Sequence, residues 1–210
     1  MEIIKSISYN QDEIISNIMK LFNIEQFDID CTYSKGAFYK NIIQPKFKFD
    51  LNPQTKDTIR ADCRNLPLKN NNINSSMLDL PFVIGGANFR EAKDGSCVIG
   101  KRFSSFTSWN QLKELYSNAI KEQYRALKEN GILVLKCQDV VVGGLQHLSH
   151  IYIINEAIKA GFYPQDIFIL LANNRLNSFG GRWKKQFHAR KYHCFMIVLQ
   201  KCKCKVNYDL

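Results

Sequence analysis

Four carboxylates stand where short apolar runs give out: Asp30, Asp50, Asp62 and Asp79. The last lies in MLDLPF, residues 77–82. Asp79 can accept a hydrogen bond from an amine N–H. It can then stabilise the positive charge that grows as the nitrogen attacks an electrophile. The carbonyl of Leu80 can accept the second N–H. Pro81 stiffens the backbone through its fixed φ. Phe82 offers a ring on which a planar base can stack. Four residues alone also match an ordinary strand end with an Asp-initiated turn.

Asp50 ends the run FKFDLNP, residues 47–53, and lies 20 residues after Asp30. An acid at the tip of a second strand is where Rossmann-like folds hold a ribose diol. Between the two, DIDCTYSKGAFYK contains Gly36, which lets backbone approach a ligand closely. A plain turn explains that glycine equally well. The loop is aromatic (Tyr33, Phe38, Tyr39) and unlike a phosphate-cradling glycine loop.

A second constellation lies at residues 173–191, NNRLNSFGGRWKKQFHARK. Arg175, Arg182, Lys184, Lys185, Arg190 and Lys191 come with no acid among them, and Phe179, Trp183 and Phe187 are interleaved. Cations track phosphates while aromatics stack on unpaired bases. A solvated hairpin loop is the bland alternative. Lys136 and Asp139, near the end of an apolar run, are either site residues or a mundane strand-end pair. His147 and His150 read as helix-surface residues, and His188 and His193 as structural or phosphate-facing.

The elements that must position these residues follow from periodicity. Residues 11–22 have one apolar stripe, with Asn10 as cap and Asp12 and Glu13 at the positive end. Strands are expected at residues 27–30, 47–53, 58–62 and 74–82. Only a turn or two of helix fits in residues 34–45, and none in 54–57, which is tight for parallel crossovers. Residues 83–108 have no steady period and read as a lid or binding loop. Ser108 and Gln111 form a possible capping box, and a helix follows to residue 129, ended by Gly131. A buried strand is expected at 132–139, then a turn at VVGGLQ, a helix to about Lys159 stopped by Gly161, and strands at 164–173 and 193–201. The pattern indicates an α/β sheet with helices on both faces.

At 210 residues the chain is expected to be one domain, 1–210. A hydrophobic content of 45% suits a globular protein, and no apolar run reaches membrane-spanning length. The N-terminus lacks the pattern of a signal peptide. The seven cysteines are odd in number and scattered, as for reduced thiols in the cytoplasm. Cys202 and Cys204 lack zinc-ligand spacing, so no metal is expected. The formal net charge of +10 suggests a polyanionic partner.

In order along the chain, DIDCTYSKGAFY, FDLNP, ADCRNLPL, LDLPF, LKENGILVLKCQD and KKQFHARKYHCFMIV resemble class I S-adenosylmethionine-dependent methyltransferases. The likeness is to small phage and prophage DNA methylase-like proteins of the adenine N6 or cytosine N4 amino-methyltransferase type. Their signature reads [DNS]-P-P-[YF]; here Leu80 replaces the first proline, as in the N-L-P-Y of ribosomal RNA dimethyladenosine transferases. The resemblance implies a Rossmann-like seven-stranded sheet, its last strand antiparallel between the fifth and sixth; the short chain is expected to leave no room for a separate target-recognition domain. It implies that Asp30, Thr32, Tyr33, Gly36 and Phe38 hold the methionine part of S-adenosyl-L-methionine. Asp50 would take the ribose hydroxyls, and Asp62, with Cys63 beside it, the adenine amine. Asp79, Leu80, Pro81 and Phe82 would hold the target base. Arg175, Arg182, Trp183, Lys184, Lys185, Arg190 and Lys191 would bind nucleic acid, DNA before RNA. An RNA adenine methyltransferase, or a catalytically weak nucleic-acid or cofactor-binding protein that keeps the fold, are the alternatives.

Overall fold

The computed structural model describes residues 3–84, 106–174 and 185–204. Its centre is an eight-stranded sheet. In chain order the first six strands are β1 (Ile7–Ser8), β2 (Ile29–Asp30), β3 (Phe47–Asp50), β4 (Ile59–Arg60), β5 (Ile73–Asp79) and β6 (Leu127–Cys137). A separate hairpin follows, β7 (Val140–Val142) and β8 (Leu145–His147), and β9 (Phe162–Leu171) and β10 (His193–Lys201) complete the sheet. The sheet strands lie side by side as β1-β9-β10-β6-β5-β2-β3-β4. Neighbours run parallel except β10, which is antiparallel to both β6 and β9. The expected placement of the last strand holds. The strand count does not: Ile7–Ser8 adds an eighth strand, parallel to β9, because Ile169 N–H reaches the Ser6 carbonyl at 2.7 Å. A pair of residues has no periodicity to reveal it.

Helices cover both faces. On one side α1 (Gln11–Leu21) and the 3-10 turn Ala37–Tyr39 pack Ile14, Ile15, Ile18 and Phe38 against Met77, Val134 and Met196. On the other, α2 (Trp109–Ala126) and α3 (Ser149–Ala160) pack Leu112, Tyr116, Ile120 and Ile153 against Leu78, Leu133, Leu135 and Ile197. The alternation Leu133/Leu135 against Val134 is the period-two signature of a strand buried on both faces. The short first-half connections are made without α-helices: the 3-10 turn bridges β2 to β3, and β3 to β4 has a helix-free loop.

Local signals explain most ends. Asn10 Oδ1 accepts the Asp12 and Glu13 amides, so α1 starts as its sequence predicts. Ser108 Oγ accepts Gln111 N–H, but the Gln111 side chain returns to Thr107 rather than to Ser108. Gly161 ends α3 in the left-handed conformation at φ 106°.

The expected end of α2 at residue 129 is wrong. The helix stops at Ala126, and Gly131 lies inside β6, in an irregularity opposite Ile73–Ser75. Distant groups take the helix's last carbonyls: Asn71 and Asn72 N–H bond Arg125 and Ala126, and Lys201 Nζ reaches the Tyr124 and Leu127 carbonyls at 2.6 and 2.7 Å. Lys201 is itself buried and also bonds Asn71 Oδ1 at 2.8 Å. A cation at a helix C-terminus also opposes the macrodipole. Lys201→Ala should therefore lower stability by about 1–3 kcal/mol, the cost of orphaning buried polar groups, read as the urea midpoint at constant m. An unchanged midpoint would mean that Asn71 and Asn72 suffice.

Candidate functional site

The strand order reverses between β2 and β5, with β3 and β4 on one side and β6 on the other. Crevices at such switch points, beyond the C-terminal strand ends, are where open α/β sheets bind ligands. Asp30 and Asp79 end the two strands flanking this point. The cleft there is lined by Thr32 and Ser34 from the β2 loop, Asp50 and Asn52 from β3, and Asp62, Cys63 and Arg64 beyond β4. Asp79, Leu80 and Pro81 close it on the β5 side, with Phe106 and Leu115 as a further wall.

Each acid is in a different state. Asp30 is fully buried and turned away from the cleft lining. Its Oδ1 accepts from Thr32 N–H at 2.7 Å and the Thr32 hydroxyl at 3.2 Å, and its Oδ2 from the Tyr39 hydroxyl at 2.8 Å. Burial lifts its pKa to about 7 against the bonds that favour the anion, with the Asp79 charge adding to the rise. Asp50 takes Ser34 N–H on Oδ2 at 2.8 Å and Asn52 N–H on Oδ1 at 2.7 Å, leaving a lone pair on each oxygen facing the cleft. Asp62 is saturated: Arg64 gives it a backbone N–H, Nε to both oxygens, and Nη2 to Oδ2 at 2.6 Å. The same arginine holds its carboxyl below the usual range despite partial burial. The loop bearing both is pinned to α2, where Glu122 accepts Leu66 N–H at 2.6 Å and Arg125 bonds the Leu66 and Leu68 carbonyls. Burial pushes the neighbouring Cys63 thiol up to about 12, so it is neutral.

Asp79 differs again. Its backbone N–H donates to the Thr32 hydroxyl at 2.8 Å, tying it through Thr32 to Asp30. Oδ2 lies 3.6 Å from Lys136 Nζ across the β5–β6 register. Oδ1 is shielded and has no partner among the described residues, though the side chain as a whole keeps 24% exposure. Burial raises its pKa and Lys136 pulls it back. Lys136 is 12% exposed, held over the Phe38 ring at 4.6 Å and bonded to Gln11 Oε1 at 3.3 Å. Sequence reasoning leaves Lys136 undecided between site and scaffold. An apolar run that breaks to lysine opposite an acid-ended strand is the available signal.

The expected site residues thus divide. Thr32, Asp50, Asp62, Cys63, Asp79, Leu80 and Pro81 meet around the cleft. Asp30, Tyr33, Gly36 and Phe38 lie behind it, as its support: Tyr33 stacks on Tyr39, and Gly36 at φ 68° packs where a Cβ would run into the Tyr33 hydroxyl. Phe82, half-buried, is not among the lining residues. Leu80 is 1% exposed and belongs to the core cluster with Leu112 and Tyr116, so it serves packing as well as the cleft. Arg175, Arg182, Trp183 and Lys184 lie outside the described residues; Lys185, Arg190 and Lys191 precede β10.

Two histidines are not where periodicity puts them. His150 is not on a helix surface: its Nδ1 bonds Asp139 Oδ1 at 2.7 Å, its ring stacks on Phe195, and Asp139 also accepts its backbone N–H near the start of α3. His147 lies in the β7–β8 hairpin and stacks on Trp109. The partners come from β10 and from α2, far apart in sequence.

No family model and no curated protein matches the sequence. Solved structures do match. A methyltransferase dependent on S-adenosylmethionine from Methanosarcina mazei superposes with a TM-score of 0.51 at 11% identity, over 88% of this chain and 97% of that one. The fold is that of these methyltransferases. The [4+2]-cyclase SpnF superposes with a TM-score of 0.54 at 13% identity, over 91% of this chain and 81% of that one, so the fold also carries other chemistry. A protein assigned as a DNA modification methylase, from Thermus thermophilus, gives 0.46 at 14% identity over 70% of this chain. The chain spans about half the length of that protein, covering 53% of it.

The acids and Leu80 can each be tested by unfolding. The folded pKa of Asp30, about 7, lies above its ordinary 3.8. The folded state therefore holds this proton more tightly. That stabilisation is complete below about pH 4 and is lost as pH rises through about 7. Asp30→Asn should remove this loss, so the stability of the variant relative to wild type should rise between about pH 4 and 7 and level off above. Parallel urea curves across that range would remove Asp30 as the titrating group. Leu80→Ala should cost about 2–5 kcal/mol, as for other buried leucines, measured by thermal and urea unfolding.

Proposed function

We propose that this chain transfers a methyl group from S-adenosyl-L-methionine to an exocyclic amino group of a nucleic-acid base, adenine in DNA before adenine in RNA. The observation that carries this reading is Asp79 Oδ1, a shielded carboxylate oxygen without a partner among the described residues, at the switch-point cleft beside Pro81. The Asp79 side chain keeps 24% exposure in the cleft, so an amine N–H there can reach the carboxylate and add the bond it lacks. The ordered tokens of the sequence and the fold support the same reading.

When bound, S-adenosyl-L-methionine supplies an electrophilic methyl on a sulfonium. The residues present fit it in part. Asp50 keeps a lone pair on each oxygen for a ribose diol. Asp62 can accept from an adenine amine once Arg64 yields one of its bonds, and the Arg64 side chain is 46% exposed and has solvent to move into. Asp79, with Lys136 beside it, accepts one N–H of the target amine, and the Leu80 carbonyl takes the second. The nitrogen's lone pair is then aimed along the attack line. The proton it sheds can leave late, so Asp79 has to orient and stabilise charge rather than act as a strong base. Leu80, a core residue, is compatible with this role because the role asks only for its backbone carbonyl, not its side chain.

The test is methyl transfer from a tritiated cofactor to DNA and to RNA. Asp79→Ala should abolish transfer while leaving cofactor affinity near wild type. Asp50→Ala should weaken cofactor binding by about 1–3 kcal/mol, the range for a charged hydrogen-bond partner, in titration calorimetry. Full activity in Asp79→Ala would sink the reading; cofactor binding with no transfer to either nucleic acid would leave a binding protein on the same fold.

A further inference from the structure

Beyond β6 the chain leaves the sheet at its cleft end and forms the β7–β8 hairpin. Its turn is Gly143-Gly144, at φ 58° and 80°, as a two-residue hairpin turn of the favoured twist requires. Among the described residues, nothing stands within 4 Å of where a Cβ would be at either glycine. The tip is apolar. Leu145 is 67% exposed, and Val141 and Leu148 are exposed beside it.

The base of the hairpin is fixed to the cleft wall. His147 stacks on Trp109 with ring centroids 4.8 Å apart, and Trp109 opens α2 just after the cleft residue Phe106. On its other flank the tip holds the segment before β10, where the Gly144 carbonyl lies 2.8 Å from His188 Nε2. That segment, residues 185–192, contains Lys185, Arg190 and Lys191 and no acid, and its Phe187 is 74% exposed. The acid at the hairpin base, Asp139, is occupied by His150. The surface is therefore an apolar finger with cations and an exposed ring at its side.

A partner for such a surface must offer negative charge outside and apolar faces inside. Stacked bases between phosphate strands do so. Resting on the function proposed above, there is also a need for it: an amine inside a duplex is reached only when its base leaves the stack. Proteins that open a base step commonly push an apolar side chain into the gap. We propose that the hairpin Val140–His147 is a wedge that enters the base stack of a duplex, with Leu145 foremost, while Phe187 and the adjacent cations hold the strand beside the cleft.

The test compares the full chain with Leu145→Ser, an exposed change that leaves the cleft intact. Each is titrated by fluorescence anisotropy with a short duplex and with its single strand, in DNA and in RNA. A wedge matters only where bases must be unstacked, so the variant should lose about tenfold in affinity for the duplex, and no more than about twofold for the single strand. A fluorescent adenine analogue in the duplex should brighten with wild type and stay dim with the variant. An equal loss on both forms, or no loss on the duplex, overturns the wedge. If wild type methylates the duplex and Leu145→Ser does so at the same rate, the wedge falls and the function stands. If wild type binds neither form, both fall.

Discussion

The cleft depends on the hydroxyl of Thr32. It donates to the Asp30 carboxylate and accepts the backbone N–H of Asp79. These bonds cross the switch point, where β2 and β5 diverge into different loops. Without them nothing among the described contacts would hold the Asp79 backbone to the β2 loop beyond the last ladder bond, from Cys31 N–H to the Met77 carbonyl. Asp30 is therefore a support for Asp79 as much as a candidate ligand residue. Its full set of internal bonds explains why a buried carboxylate is tolerated there.

Around that hydroxyl the site is an arrangement of unequal charges. Two buried acids near one another disfavour joint ionisation. Lys136 stands on the Asp79 side and resolves the asymmetry: Asp79 has a cation at 3.6 Å, whereas Asp30 has only neutral donors among the described residues. Phe38 and Gln11 keep that lysine in place on the α1 side of the sheet, the side on which Asp79 also lies. A helix at the start of the chain thus takes part in the electrostatics of a carboxylate at its middle.

Much of this was legible in the sequence, and the boundary has a physical form. The start of α1 and the end of α3 were readable because Asn10 and Gly161 act on their own neighbours. β2, β3 and β5 end at Asp30, Asp50 and Asp79 as expected, whereas β4 is only Ile59–Arg60, both exposed, and stops short of Asp62; the bounds of β10 were readable because its buried apolar run is broken by a charge. What was missed depended on partners distant in the chain. The end of α2 is set by Asn71, Asn72 and Lys201; the place of His150 is set by Asp139 and Phe195. Leu80, which looks like a departure within a motif, is a core side chain whose neighbours lie on α2. The saturation of Asp62 by Arg64 is local, two residues apart, but no pattern tells a clamped acid from an open one.

The position of β10 bears on how the molecule comes to be made. Third from one edge of the sheet, it is the last of the eight strands to leave the ribosome, and it inserts between β6 and β9, both already synthesised. Until it arrives, those two strands present unpaired ladder edges, the kind of surface that recruits other chains. Its final residue, Lys201, also takes two of the carbonyls at the end of α2. Completion of the sheet and the last of the bonds at that helix end thus come together, after Asn71 and Asn72 have made theirs. A nascent chain that stalls before β10 leaves the facing edges of β6 and β9 unpaired and the Lys201 bonds to α2 unmade.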